Sequence, residues 1–221
     1  MQNFVGQVDK KGNHQSAVDA FYAELHNEYK TTDPDMEIVL TNVDAPKTAM
    51  TGEDQGKLLN AIYGCQLGVY RMSPDMEGLV QTSNNIARVI VADGAYKVMC
   101  LTRGSVDSEK MDLANSIKAT FSMIGADVDF AGAYPGWEPK PGSDIVDIMS
   151  GIYTEMFNEK AKVAACHAGL ECGILGTNYP HIEMISFGPN IKGAHSPDER
   201  TQISSVQKYW GFLLETLKRT K

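Results

Sequence analysis

Apolar residues recur every fourth position from Ala17 through Phe21 and Leu25 to Tyr29, which is helical spacing, and Asn13 stands ahead of them as a cap. Phe4 to Val8 reads as a short strand before this helix, and Met36 to Val43 as a strand after it. A second helix fits residues 52–64 through Leu58, Leu59 and Ile62. The clearest β signal runs from Leu79 to Leu101, where two strand-like stretches, Arg88 to Ala92 and Tyr96 to Leu101, flank Asp93-Gly94. An Asp-Gly pair there predicts a tight hairpin, because both turn residues need positive φ. Asp107 or Ser108 then caps a helix with Leu113, Ile117, Phe121 and Ile124 on one stripe, and Gly125 stops it. Ala126 to Ala131 returns as a strand. Helices and strands thus alternate over residues 1–133, as in a two-layer α/β sandwich.

Residues 134–142 hold three prolines and two glycines and read as a boundary. Beyond it, Ser143 caps a helix bearing Ile145, Ile148, Met149, Ile152 and Met156. Short strands are expected at 162–166 and 183–187, and a last helix carries Ile203, Val206, Trp210, Leu213 and Leu217. This α-β-β-α arrangement over 134–221 is small for an independent core. Its strands are expected to complete a larger sheet whose other members lie elsewhere.

Composition narrows the function. The 221 residues carry a formal net charge of −8, with no Lys/Arg cluster beyond the C-terminal Lys218-Arg219-Lys221, which argues against nucleic-acid binding. No apolar run approaches the roughly 20 residues that span a bilayer, and Met1 to Val5 lacks the features of a signal peptide. Cysteines 65, 100, 166 and 172 are too scattered for a disulfide framework and suit reduced thiols in a cytoplasmic protein. A structural zinc on Cys166 and His167 is disfavoured: adjacent residues of a strand face opposite ways, and no paired ligand spacing appears.

The candidate chemistry centres on Gly193 to Glu199, which sets His195 in a loop beside the carboxylates of Asp198 and Glu199. A neutral imidazole oriented by a carboxylate suits zinc, yet a catalytic zinc takes about three protein ligands. The rest of the chain does not obviously supply them. Asp198 and Glu199 read equally as caps of the last helix.

Several motifs then stop being anonymous. Ala133 to Trp137, Cys166 to Gly173, Gly188-Pro189 with Gly193 to Glu199, Thr82 to Asn85 and Cys100 to Ser105 together resemble the aminoacyl-histidine dipeptidases, also called cytosol non-specific dipeptidases, of a zinc aminopeptidase superfamily. The likeness is dense from about Leu58 onward. It implies a lid or dimerisation domain over 1–133, truncated at its N-terminal side, followed over 134–221 by the C-terminal portion of a zinc-peptidase catalytic α/β domain. The family's remaining zinc ligands and its general base, carried on a segment ahead of these, are not in this sequence, so the chain by itself is expected to be inactive.

In that family His195 matches the last ligand of a two-zinc centre, with Asp198 or Glu199 as the groups behind it. Glu171 matches the carboxylate beside the substrate's free amino group, and Arg103 the arginine that receives its C-terminal carboxylate. Asn85 matches an amide donor to the substrate or its oxyanion. The implied activity is a cytoplasmic, homodimeric metallodipeptidase of broad specificity, including Xaa-His dipeptides, that needs an unblocked N-terminus. Each residue also has a plainer reading. Arg103 suits a surface ion pair with Asp107 or Glu109, Glu171 a buried acid held by backbone N–H groups, and Asn85 a turn. Two rivals stay open: a non-catalytic dimerisation or peptide-binding module, and a thiol hydrolase using Cys166 or Cys172 with His167 or His195.

Overall fold

The computed structural model describes residues 14–39, 41, 44, 47–140, 142–165 and 171–220. These fall into two compact units divided between Tyr63 and Gly64. The first holds helix α1 (His14–Tyr29) and nearly all of α2 (Gly52–Gly64). Tyr22 stacks on His26 one turn later in α1. Thr51 opens α2 by accepting the Asp54 N–H on its hydroxyl at 3.1 Å while donating that hydroxyl to the Asp54 carboxylate at 2.8 Å. Such a reciprocal cap satisfies a donor the helix cannot use itself.

The second unit begins with an antiparallel sheet of β1 (Gly68–Met72), β2 (Val80–Ala92) and β3 (Ala95–Gly104), in that order. The expected hairpin forms: Asp93 and Gly94 have φ of 53° and 74°, and Ala92 pairs with Ala95. Helix α3 (Asp107–Ser122) covers one face of β2 and β3. It turns Leu113, Ile117 and Phe121 inward, and Leu113 is 0% exposed. Asp107 is the first helical residue and Val106 the cap; Gly125, at φ 79°, lies just past the end.

Helix α4 (Asp144–Phe157) packs on α6 (Ile203–Arg219), with α5 (Glu171–Asn178) and the two-residue pair β4 (Ile191–Lys192) and β5 (Arg200–Thr201) between them in sequence. Met149, Ile152 and Phe212 form the buried core, flanked by Ile145, Tyr153, Phe157 and Ile185. Ser143 occupies the cap position of α4 without a side-chain bond; the Glu183 carboxylate accepts the Ile145 N–H instead, at 3.1 Å.

Several expectations change. Residues 126–131, 162–165 and 183–187 form no regular strand, and neither do 36–39. A strand's N–H and C=O groups need a neighbouring strand, and the described residues bring none alongside. Likewise the α6 stripe Ile203, Val206, Trp210 and Leu217 faces outward, with Trp210 58% exposed, while Phe212 and Thr216 are buried. The helix is apolar on two sides, and α4 takes the other one. The strand expected at Phe4 to Val8, the cap at Asn13, and Cys166-His167 lie outside the described residues. No described helix is long and apolar enough to cross a membrane.

Candidate functional site

The hairpin turn and one bulge decide what shares a face with Arg103. Up to Arg88↔Met99 the two strands run in register from the turn; the irregularity between Ile86 and Arg88 then inserts Ala87 as an extra residue. Beyond it Asn85 pairs with Leu101 and Ser83 with Arg103. Opposed residues lie on one side of a sheet, so Asn85 and Arg103 are diagonal neighbours on the face away from α3, roughly 7–8 Å apart in ordinary sheet geometry. Without the bulge, Asn84 would stand opposite Arg103. Instead Asn84 points to the covered face, 2% exposed. It donates to the Gln66 carbonyl at 2.8 Å and accepts from the Thr102 hydroxyl at 3.2 Å.

Arg103 is exposed and, among the described residues, makes no ion pair. Both carboxylates expected to neutralise it are engaged elsewhere. Asp107 accepts Lys110 Nζ at 2.6 Å and the Gly136 N–H at 2.8 Å. Glu109 accepts Arg71 at 2.7 Å, the Gln81 amide at 2.7 Å and the Thr82 hydroxyl at 3.0 Å. Desolvation pushes each of these acids up, but the donors outweigh it and hold both below their ordinary range. Among the described residues, the cation on β3 is therefore left without a counter-charge.

The end of β3 is tied to α5 by backbone contacts that leave no room for a side chain. A Cβ on Gly136 would fall 2.1 Å from the Ser105 carbonyl oxygen. One on Gly173 would fall 2.6 Å from that of Pro135. Residues 135–136 are thus sandwiched between Ser105, two residues past Arg103, and Gly173, two residues past Glu171. Lys110 fastens the segment by donating to the Tyr134 carbonyl at 2.6 Å as well as to Asp107. The sequence marked this stretch as a boundary and as part of a family motif, but not as a joint between β3 and α5. Its signal was the Pro-Gly pair and the glycines around Glu171, which mark close approach of backbones.

Glu171 is the first residue of α5 and is exposed. The expectation of a buried acid held by neighbouring N–H groups does not describe it. A carboxylate in the first turn is favoured by the helix dipole, and among the described residues it makes no ion pair.

His195 sits at the tip of the loop that β4 and β5 close, with Ile191 opposite Thr201 and Lys192 opposite Arg200. Its φ of 63° lies in the left-handed region, a conformation that costs a non-glycine residue on the order of 1 kcal/mol. The loop's own bonds hold it there. Glu199 accepts the His195 backbone N–H at 2.8 Å, and Ser196 donates its hydroxyl to the Gly193 carbonyl at 2.7 Å. Glu199 therefore braces the chain beneath the imidazole and not the ring. Helix α6 starts at Ile203 with Gln202 at its cap position, so Asp198 and Glu199 precede β5 and do not cap that helix.

Among the described residues, no three His, Cys, Asp or Glu side chains gather as a metal site. His195 is one donor where a catalytic zinc takes about three, so these residues do not hold that metal by themselves.

Comparison with known proteins extends this picture. The family model described as "Peptidase family M20/M25/M40" matches residues 2–219. The cytosol non-specific dipeptidase of Escherichia coli (strain K12) is 33% identical over 211 residues, covering 96% of this chain and 44% of that protein. The crystal structure of aminoacylhistidine dipeptidase from Vibrio alginolyticus aligns with a TM-score of 0.78 at 33% identity, over 92% of this chain and 42% of that one. An aminopeptidase PepT structure from Bacillus cereus ATCC 10987 shares the fold at 15% identity, with a TM-score of 0.61 over 74% of this chain and 44% of that one. The chain spans less than half the length of these relatives.

Proposed function

This chain belongs to peptidase family M20/M25/M40, and on that premise we propose that it supplies the part of a metal-dependent dipeptidase that reads both ends of the substrate. One observation carries the reading: Arg103 stands exposed and, among the described residues, without a counter-ion on the same sheet face as Asn85, while Asp107 and Glu109 are spent on other donors. A planar guanidinium takes a carboxylate through two parallel N–H···O bonds, which fits a peptide's C-terminus better than a point charge would. Asn85, beside it, offers an amide N–H to the substrate carbonyl and to the oxyanion that forms from it. Glu171 faces the free ammonium from the start of α5, so a blocked N-terminus would leave a carboxylate unpaired.

The Ser105–Gly136–Gly173 contacts support this pairing, since they fix the strand end bearing Arg103 against the helix bearing Glu171. A gauge that holds two termini at once selects dipeptides by length, Xaa-His among them, and supplies orientation that a loose cleft would not. His195 contributes one imidazole donor to a zinc centre whose other ligands and general base come from outside this chain, with Asp198 and Glu199 behind it. Residues 1–133 would be the lid through which the parent protein pairs as a cytoplasmic homodimer, and 134–221 the catalytic part.

The test compares this chain with the same chain extended by the segment its longer relatives carry. Zinc content and hydrolysis of unblocked dipeptides are measured on both. The reading expects metal and turnover in the extended protein and little of either in the chain alone. Metal-free, inactive extended protein would favour a non-catalytic pairing module.

A further inference from the structure

Two thiols that the substrate-binding reading leaves unused meet beneath the sheet. Cys65 follows directly on α2, is 5% exposed and turns its Sγ toward the Gln66 carbonyl at 3.7 Å. That same carbonyl receives the Asn84 amide, so the chain after Cys65 is pinned to the α3-facing side of β2. Cys100 lies on the same side of β3, opposite Ile86 and two residues from Thr102, which bonds Asn84 in turn. Each thiol shifts the other's pKa, both are free, and Asn84 also acts on Cys100.

We propose that Cys65 and Cys100 form a reversible disulfide on exposure to a hydroperoxide, making this corner an oxidant-responsive modification site. The placement meets the first requirement of such a bond, two neighbouring thiols on one side of a paired sheet. The electrostatics suit the first step. The neighbouring Cys65 thiol, with help from Asn84, lowers the Cys100 thiol to about 7 against burial, while Cys100 and burial push Cys65 up. One proton thus leaves the pair near neutral pH, and the charge resides on the half-buried Cys100.

The Cys100 thiolate attacks a peroxide oxygen, the O–O bond breaks, and the departing oxide is protonated to water or an alcohol, leaving Cys100 as a sulfenic acid. The Cys65 sulfur then attacks Cys100 Sγ, the S–O bond breaks, and the hydroxide leaves with the Cys65 proton as water. Two thiols have lost two electrons and two protons, and the peroxide has taken them up. A dithiol reverses the bond by exchange, as expected of a transient disulfide in a reducing compartment.

The test treats the reduced chain with hydrogen peroxide and reads intact mass and cysteine-containing peptides. The expected result is a loss of about 2 Da and a peptide joining residues 65 and 100, both reversed by dithiothreitol. In Cys65→Ser, Cys100 should stop at a sulfenic acid that dimedone traps; if that variant fails to fold, the wild-type peptide map decides alone. Both thiols remaining titratable, Cys100 passing to sulfinic acid without a cross-link, or cross-links only at Cys166 or Cys172 would overturn the proposal. None of these readouts depends on peptidase activity, so this proposal and the substrate-clamp reading fail separately.

Discussion

The β2–β3 hairpin with α3 and the C-terminal part from α4 to α6 are built on opposite terms. In the first, every strand finds its partner across a two-residue turn, and α3 seals one face with Leu113, Ile117 and Phe121. In the second, extended segments at 162–165 and 183–187 run without strand pairing, and a helix shows Ile203, Trp210 and Leu217 to solvent. The hairpin region is closed by its own local contacts, so it can hold Arg103 and Asn85 in a fixed relation. The C-terminal region places Glu171 and His195 on a short helix and a small loop, which depend on glycine-mediated contacts and side-chain bracing.

The sharpest test of that contrast removes one apolar side chain from each. Leu113→Ala should cost about 2–5 kcal/mol, because it empties a fully covered site. Trp210→Ala, a larger deletion, should change stability by less than about 0.5 kcal/mol, because that ring covers little. Urea unfolding of the two variants checks both; equal losses would erase the distinction.

A second variant strikes the joint between the regions. Gly136→Ala places a methyl group against the Ser105 carbonyl oxygen and should destabilise by about 1–3 kcal/mol as the backbones part. Thermal unfolding reads the loss. An unchanged midpoint would mean that the strand end and α5 are not held together there.

Acid titration probes the carboxylates that leave Arg103 unpaired. Glu109 is held below its ordinary range, since bonds from Gln81, Thr82 and Arg71 outweigh its desolvation. A folded-state value below the unfolded one means a contribution that is full above about pH 4.3. It is lost as pH falls through the depressed value, when the unfolded chain binds the extra proton. Glu109→Gln should remove on the order of 1 kcal/mol at neutral pH and flatten the stability curve between about pH 5 and 3. Denaturant midpoints across that range measure it. A curve as steep as the wild type's would place the acid sensitivity elsewhere.

The smallest effect belongs to the His195 loop. Glu199→Gln should leave global stability within about 0.5 kcal/mol, yet broaden or shift the His195 backbone amide resonance, because Glu199 accepts that N–H. An unmoved resonance would show that the loop holds its shape without the carboxylate.

What could be read from the chain follows the range of the forces involved. Asp93-Gly94 and the four-residue spacing of Leu113, Ile117 and Phe121 are local signals, and both elements formed as expected. The strands expected at 162–166 and 183–187 needed partners distant in sequence, which no local pattern supplies. The last helix formed where it was expected, but its packed side was not legible: it has apolar residues on two sides, and spacing alone does not say which side α4 takes. At the candidate site, Arg103 and Glu171 were singled out by motif resemblance, and the structure shows both exposed. The Ala87 bulge that brings Asn85 to Arg103's face was not, since a single inserted residue changes the register without altering composition. The engagement of Asp107 by Gly136 lies 29 positions along the chain, beyond any short-range pattern.

The claim that Arg103 receives a substrate carboxylate is tested most directly in the extended protein, by comparing kcat/KM for a dipeptide and for its C-terminal amide. The wild type should prefer the free acid, and Arg103→Ala should lower kcat/KM for the acid by roughly 30- to 1000-fold, about 2–4 kcal/mol, while treating acid and amide alike. An Arg103→Ala enzyme that keeps both its rate and its preference for the free carboxylate would contradict the account.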